Sequence, residues 1–411
     1  MDKERLYEMN RIAAKVYFAT LIKGGDDRGR KYLEERKLSP ETIRHYGLGY
    51  APDSWNYMLN TLMRSGFSAD EVIEGGLAAR SEKGKVYDFF RNRVMFPVID
   101  MQGEVIGFGG RVLDDSTPKY LNTPATPVFD KGENLFSMNY AKNSQMDRLV
   151  LCEGYMDVIA MNQAGFDGAI ATLGTAITEN QARFISRHTD GVILSYDSDS
   201  AGQAATKRGI ELLSKAGVKV SVLHIEGAKD PDEYIKKYGA KKFESLLQKA
   251  ENAVSWTLHK AEQELDLSTD AGKKELANRV SAPLSVLPPA EQTMQAVCIG
   301  QKYGVTVRVE RENPVILPEP VRRKSYEQIV PDKMAERAAT VYDMPPETSI
   351  SNLGLPEDMT DCLGQSGVAT LDDILRLSPK DMKVVFDGDK EMIKQLCDFV
   401  GISSDNRDIT D

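Results

Sequence analysis

The sequence predicts an α/β protein. A parallel sheet flanked by helices is preceded by a mixed α+β subdomain and followed by a helical subdomain and a small all-α module. Three observations carry this reading. Between residues 147 and 225, short apolar runs alternate with helix-length stretches, the signature of strands joined by crossover helices. Ahead of it, Val94 to Ile99 and Val105 to Phe108 flank a Gln102-Gly103 turn, which is a hairpin signal. Behind it, residues 232–304 read as helices.

The elements follow in order. Leu6, Met9, Ile12, Ala13, Val16 and Tyr17 keep a three/four spacing, so the chain opens on a helix. Ser39-Pro40-Glu41-Thr42 is an N-cap with proline at the first helical position. Residues 54–80 give two short helices. Strands are expected at 148–152, 168–172, 191–196 and 218–225, with helices at 155–165, 178–188 and 201–216. Residues 305–347 are proline-rich and of mixed charge, which marks a linker, and a small helical module is expected at 348–402 with a polar tail. The expected divisions are 1–146, 147–232, 233–312, a linker at 313–347, and 348–411.

Bulk properties narrow the function classes. The 411 residues suffice for two or three domains. No apolar stretch is long enough to span a bilayer and the N-terminus is charged, so no membrane partner is expected. Four cysteines, at 152, 298, 362 and 397, form no CxxC pair. Neither zinc nor a disulfide framework is expected, and a reducing cytoplasm is the natural setting. The net charge of −10 is unevenly spread: residues 348–411 hold 13 acids against 6 bases, and the rest of the chain is nearly balanced. A local basic surface therefore remains compatible with the total.

The chemistry-bearing residues are carboxylates in three short clusters. Glu153 lies in Glu153-Gly154-Tyr155-Met156-Asp157, Asp197 and Asp199 in Tyr196-Asp197-Ser198-Asp199, and Asp230 and Asp232 in Lys229-Asp230-Pro231-Asp232. The first two follow apolar runs, so they stand at the carboxyl ends of strands and face one crevice. Like charges gathered there repel unless a cation neutralises them. Oxygen-only donors favour Mg²⁺ or Mn²⁺, and hence metal-assisted chemistry on phosphates. Gly154 allows a sharp turn with room for phosphate, Asp197 and Asp199 point to one side of an extended segment, and Ala201-Gly202 opens a helix whose amino end favours anions.

On these residues the segment from Val150 to Asp232 resembles the Toprim fold, shared by bacterial primases, topoisomerases and some nucleases. The flanking strings narrow the resemblance. They are Asp88-Phe89-Phe90-Arg91-Asn92-Arg93-Val94-Met95-Phe96-Pro97, Gly107-Phe108-Gly109-Gly110-Arg111, Pro118-Lys119-Tyr120-Leu121-Asn122-Thr123-Pro124, Phe129-Asp130-Lys131-Gly132 and Asp230-Pro231-Asp232-Glu233-Tyr234. Together they are similar to the RNA polymerase domain of bacterial replicative, DnaG-type primases, over about residues 5–305.

The resemblance implies a DNA primase, a metal-dependent nucleotidyltransferase copying single-stranded DNA into short RNA primers from ribonucleoside triphosphates. It implies Glu153, Asp197 and Asp199 as catalytic metal ligands, with Asp230 and Asp232 lining the same crevice. Arg91, Arg93, Arg111, Lys119, Tyr120, Asn122 and Lys131 are implied as the floor meeting template and nucleotide, where arginine offers a planar fork and lysine a point charge. Thr172-Leu173-Gly174-Thr175 resembles the loop that closes the site.

Departures count as well. The family usually begins with a zinc-binding domain; this chain has no such Cys/His set. Ser198 stands where glycine is commoner. Residues 350–393 resemble the C-terminal domain of the bacterial RNA polymerase α subunit, but the turn at Asp387 and Asp389 is acidic. That module is expected to dock a protein, such as a replicative helicase, rather than duplex DNA. Two rivals remain: a Toprim nuclease or topoisomerase, and a non-catalytic primosome or single-strand-binding protein.

Overall fold

The computed structural model describes residues 1–197 and 199–307, and beyond them scattered positions that include the helix Glu357–Gln365. The chain divides into two units, Met1–Val321 and Arg322–Asp411. The expected linker at 313–347, most of the module at 348–411 with Asp387 and Asp389, and Ser198 lie outside the described residues. In the second unit the helix Glu357–Gln365 buries Met359 and Leu363, one turn apart.

The first unit opens on α1 (Lys3–Lys23), capped by the Asp2 carboxylate, which accepts the Arg5 N–H. Leu6, Met9, Ala13, Tyr17 and Leu21 form its buried stripe. Helices α2 (Arg28–Glu35) and α3 (Pro40–His45) follow, the latter with the expected Ser39 cap and Pro40. Strand β1 (Gly49–Ala51) leads to α4 (Tyr57–Arg64) and α5 (Ala69–Glu74), the second closed by a Ser68–Glu71 capping box. A small hairpin of β2 (Ala78–Arg80) and β3 (Val86–Asp88) precedes β4 (Arg93–Ile99), β5 (Val105–Val112) and β6 (Tyr120–Asn122). The last three join β1 in an antiparallel sheet of order β1-β4-β5-β6.

After the short helix α6 (Met138–Ala141) the βα alternation begins. It runs β7 (Leu149–Cys152), α7 (Tyr155–Gln163), β8 (Ala169–Ala171), α8 (Glu179–Ser186), β9 (Gly191–Ser195), α9 (Ser200–Lys215), β10 (Lys219–Val222). Strands β8, β7, β9 and β10 are parallel neighbours. Every residue of β7, β8 and β9 is buried, as strands covered on both faces must be. Then come α10 (Pro231–Tyr238), α11 (Ala240–Gln248) and β11 (Glu251–Asn252), which adds an antiparallel edge beside β10. The sequence predicts helix alone here; two residues are too few for a period-two signal. Helices α12 (Ala253–Glu264), α13 (Asp270–Ser285) and α14 (Pro289–Tyr303) close the unit around Val254, Leu276, Val280, Leu284 and Ile299. Among the described residues, no helix is long and apolar enough to cross a membrane.

One contact ties the antiparallel sheet to the parallel one. The Tyr155 ring, at the start of α7, stacks on Phe96 of β4 with centroids 5.0 Å apart and planes 8° from parallel. It lies against Gly109 of β5, where a Cβ would come within 2.5 Å of the ring. Its hydroxyl donates to Asn122 Oδ1, and Asn122 Nδ2 donates to the Leu173 carbonyl at 2.9 Å. The glycines of Gly107-Phe108-Gly109-Gly110 therefore make room for neighbouring rings: Phe129 at Gly107, Tyr155 at Gly109 and Phe90 at Gly110.

Candidate active site

Strands β7 and β9 pair with Cys152 opposite Ser195, so they end side by side. Glu153 follows the first and Asp197 the second. The Asp197 N–H donates to Glu153 Oε1 at 2.9 Å. Asp199 is the N-cap of α9; its Oδ1 accepts the Gly202 N–H at 2.8 Å. A side chain at Gly202 would overlap the Asp197 carbonyl oxygen, so glycine is what lets the acid loop fold onto the helix. Asp230 caps α10 in the same way, accepting the Glu233 N–H at 2.7 Å, with Pro231 at the first helical position. Asp232 is buried. Its Oδ2 receives Lys236 Nζ at 2.7 Å and Arg36 at 3.2 Å, while Oδ1 is buried without a partner.

These acids feel one another. Burial holds the Asp157 carboxyl up to about 8, and the charges of Asp230, Asp197, Asp232 and Glu153 add to it. Burial likewise raises Glu153, with Asp197 and Asp199 adding and the Asp197 N–H opposing. Burial raises Asp197 too, reinforced by Asp230 and Asp199 and opposed by Lys119. Among the described residues, no three of the acids, histidines or cysteines are gathered tightly enough to enclose a metal ion. Asp199 spends Oδ1 on its helix cap. The donor set nonetheless fits a hard divalent cation. It is made wholly of oxygens, it is mutually repelling, and one of its buried oxygens has no donor.

The basic residues divide by what they touch. Lys119 is exposed, and its charge reaches Asp197. Arg91 Nη1 donates to the Asp88 carbonyl, and its guanidinium lies 4.3 Å from the Trp55 ring centroid. Arg111 lies 4.4 Å from the Tyr32 ring centroid and Arg36 5.5 Å from the same ring. Tyr120 is partly buried, and burial holds its hydroxyl proton tighter than usual. Arg93 and Asn122 are differently used. Arg93 is buried, and its guanidinium donates to the carbonyls of Gly110 (3.0 Å), Lys119 (3.3 Å) and Pro118 (2.9 Å). Asn122 is consumed by Tyr155 and Leu173. Both hold the scaffold, Arg93 by fixing the backbone that carries Lys119. The Lys131 carbonyl accepts the side chain of buried Gln181, at 2.9 Å.

The structure adds Arg36 and Tyr32 to the residues named from sequence, and gives Asp157 and Gly202, named there only within their motifs, a definite place. Asp157 was legible as the acid that ends the Glu153-to-Asp157 string, in the first turn of α7. Arg36 was not; it lies 196 positions from the carboxylate it meets. A groove of about 1420 Å³ between α8/α9 and α12/α13 holds none of the crevice acids, and its Arg279 is already paired with Glu264 and Glu275.

Comparison with known proteins follows the same division. Residues 16–142 match the family described as the N-terminal domain of the DNA primase catalytic core, and residues 150–235 match the Toprim-like family. The DNA primase of Clostridium acetobutylicum is 41% identical over 303 residues, 74% of this chain and 50% of that protein. The DNA primase of Escherichia coli K12 is 32% identical over 391 residues, 90% of this chain and 67% of that protein. Among solved structures, the E. coli primase catalytic core superposes with a TM-score of 0.67 at 34% identity, over 74% of this chain and all of that one. A DnaG primase catalytic domain bound to single-stranded DNA gives a TM-score of 0.66 at 33% identity, over 74% and 97%. The chain spans between 41% and 67% of the length of such full-length relatives.

Proposed function

The chain belongs to the DNA primase family and spans its catalytic core, and from that premise we propose that it synthesises short RNA on a single-stranded DNA template. The observation that carries the reading is the facing pair of surfaces at the sheet ends. On one side, burial and neighbouring acids raise the proton affinity of Asp157, Glu153 and Asp197; on the other, arginines lie against aromatic rings and Lys119 reaches toward Asp197.

Glu153, Asp197 and Asp199 are the residues that would hold Mg²⁺ or Mn²⁺, with Asp157, Asp230 and Asp232 around them. When bound, such an ion supplies the positive charge against which a 3′-hydroxyl loses its proton and pyrophosphate departs. The protein's own part is placement. The Asp197 N–H orients the Glu153 carboxylate, and the caps on α9 and α10 hold Asp199 and Asp230 at the crevice mouth. Arg93 fixes the 118–119 backbone so that Lys119 faces Asp197, where it meets a phosphate of template or nucleotide. Arg111 and Arg91 offer forks to phosphate oxygens, and Tyr120 and Lys131 are assigned to the same floor. The acidic module at 348–411 is assigned recruitment to a helicase or another replication protein, on its charge balance.

Incorporation of labelled ribonucleotides on an unprimed single-stranded oligonucleotide tests the reading. Short RNA products with Mg²⁺, and none with EDTA, are expected. Shortening of the DNA oligonucleotide without incorporation would instead identify a nuclease. Oligonucleotide binding with neither reaction would identify a non-catalytic binding protein.

A further inference from the structure

The groove between α8/α9 and α12/α13 stands apart from the acid crevice, and its shape and charge suit a helix. It follows α9 from Ser200 to Gly217, and the 16 residues of that helix span about 24 Å. Its volume of about 1420 Å³ exceeds the ~300–1,000 Å³ of small-molecule sites. Ile210, Leu212, Trp256, Pro283 and Val286 line it with carbon. Its charges sort into two groups. Glu211 receives Lys215 at 2.8 Å, and Arg279 pairs with Glu264 at 2.6 Å and with Glu275 at 2.8 Å, so these acids are neutralised inside the groove. The other cations have no acid. Arg187 and Lys207, both exposed, make no hydrogen bond or ion pair among the described residues. Arg183 donates to the Asn180 side chain, and Lys260 to those of Gln203 and Gln263. Among the described lining residues, four uncompensated cations thus stand against one uncompensated acid, Glu179.

We propose that this groove docks an amphipathic helix of a partner protein, apolar along the face it buries and acidic along its flanks. A helix seated in a groove lays its apolar stripe on carbon and keeps its polar residues at the edges. Arg183 and Arg187 stand one turn apart on α8, so carboxylates one turn apart on the incoming helix can meet both. Lys207 of α9 and Lys260 of α12 offer two further charges, and the Lys260–Gln203 hydrogen bond at 3.0 Å ties those two helices together. A nucleic acid fits less well. Its phosphates would run past Glu211, Glu264 and Glu275, and the one ring lining the groove, Trp256, is 6% exposed and offers no face for a base. The inference goes beyond the template reading and does not rest on it, since neither Arg187 nor Lys207 belongs to the floor that meets template and nucleotide.

The test uses the whole chain and a fluorescein-labelled synthetic helix of about four turns, with leucine along one face and glutamate along both flanks, followed by anisotropy. A second peptide carries lysine in place of every glutamate. The glutamate peptide should bind saturably and more weakly as salt rises. Reversing two charges together, Arg187→Glu with Lys207→Glu, should weaken it at least about tenfold, because attraction becomes repulsion. Asn278→Trp, which keeps every charge and adds bulk at an exposed lining position, should weaken it as well. RNA synthesis on an unprimed template and the thermal midpoint should stay unchanged in the charge-reversed protein. No binding of the glutamate peptide, equal binding of the lysine peptide, or unaltered affinity after charge reversal would each overturn the docking site. Charge reversal that lowers affinity for oligo(dT) and not for the peptide would identify a nucleic-acid groove instead and overturn it too.

Discussion

The acid crevice and the basic ridge opposite it are built on contrary rules. On the ridge, each guanidinium has a berth. Arg91 has a carbonyl and an indole, Arg111 and Arg36 share one tyrosine ring, and Arg93 has three carbonyls. In the crevice, burial raises Asp157, Glu153 and Asp197 and neighbouring acids add to it, with Lys119 the opposing side-chain charge at Asp197. Arginine is weakly hydrated and always charged, so rings and carbonyls can carry it, although Arg111 keeps a buried Nε without a hydrogen-bond partner. The carboxylates are held together against their own repulsion. The difference teaches that the ridge is assembled before any ligand arrives, whereas the crevice is complete only with positive charge.

The largest expected effect breaks the crevice. Asp197→Ala should cut RNA synthesis at least about a hundredfold, since even outer-shell changes around metals cost 10–100-fold. Because one repelling charge is gone, the thermal midpoint should hold or rise. Initial rates together with a melt decide it; near-normal synthesis would remove Asp197 from the metal assignment.

A second prediction concerns protons. The folded carboxyl of Asp157 titrates near 8, far above an ordinary aspartate. An acid raised on folding contributes most favourably below its unfolded pKa, about 4, and that contribution is lost as pH rises toward 8. The protein without divalent ion should therefore lose stability between pH 5 and pH 8, and Asp157→Asn should flatten that slope. Adding Mg²⁺ should stabilise more at pH 8 than at pH 5. Melting temperatures across that range measure all three slopes, and an unaltered slope in Asp157→Asn would remove Asp157 as its source.

The smallest effects separate two ridge residues that sequence alone treats alike. Arg93→Ala strands buried carbonyls, which cost about 1–3 kcal/mol when left unsatisfied, so its loss should appear in the denaturant midpoint. Lys119→Ala should leave that midpoint in place. It should lower affinity for single-stranded DNA and reduce the salt slope of log K by about 1, as the loss of one phosphate contact does. Equal effects on stability would erase the distinction between scaffold and contact.

The parallel sheet was legible because buried strands are continuous apolar runs, and β7, β9 and their acids lie where that rule places them. The caps at Ser39, Asp199 and Asp230 were written in local chemistry. What could not be read is what folding brings from afar. Arg36 meets Asp232 across 196 positions, and nothing local announces it. Arg93 and Lys119 share a residue class, and only the packing of β5 against the 118–119 loop makes one a strut and the other a contact.

The Tyr155 joint has a consequence for how ligands experience the protein. The ring is wedged between Phe96 and Gly109, and its hydroxyl engages Asn122, which in turn holds Leu173. Three segments distant in sequence are thereby locked at one point, two residues along the chain from Glu153. The spacing between ridge and crevice is set by the thickness of stacked rings rather than by whatever binds between them. A strand and a nucleotide meeting there need not draw the walls together, so less of their contact energy is consumed in ordering the protein. The tyrosine acts as a spacer gauge: altering its thickness changes the gap on which both surfaces depend.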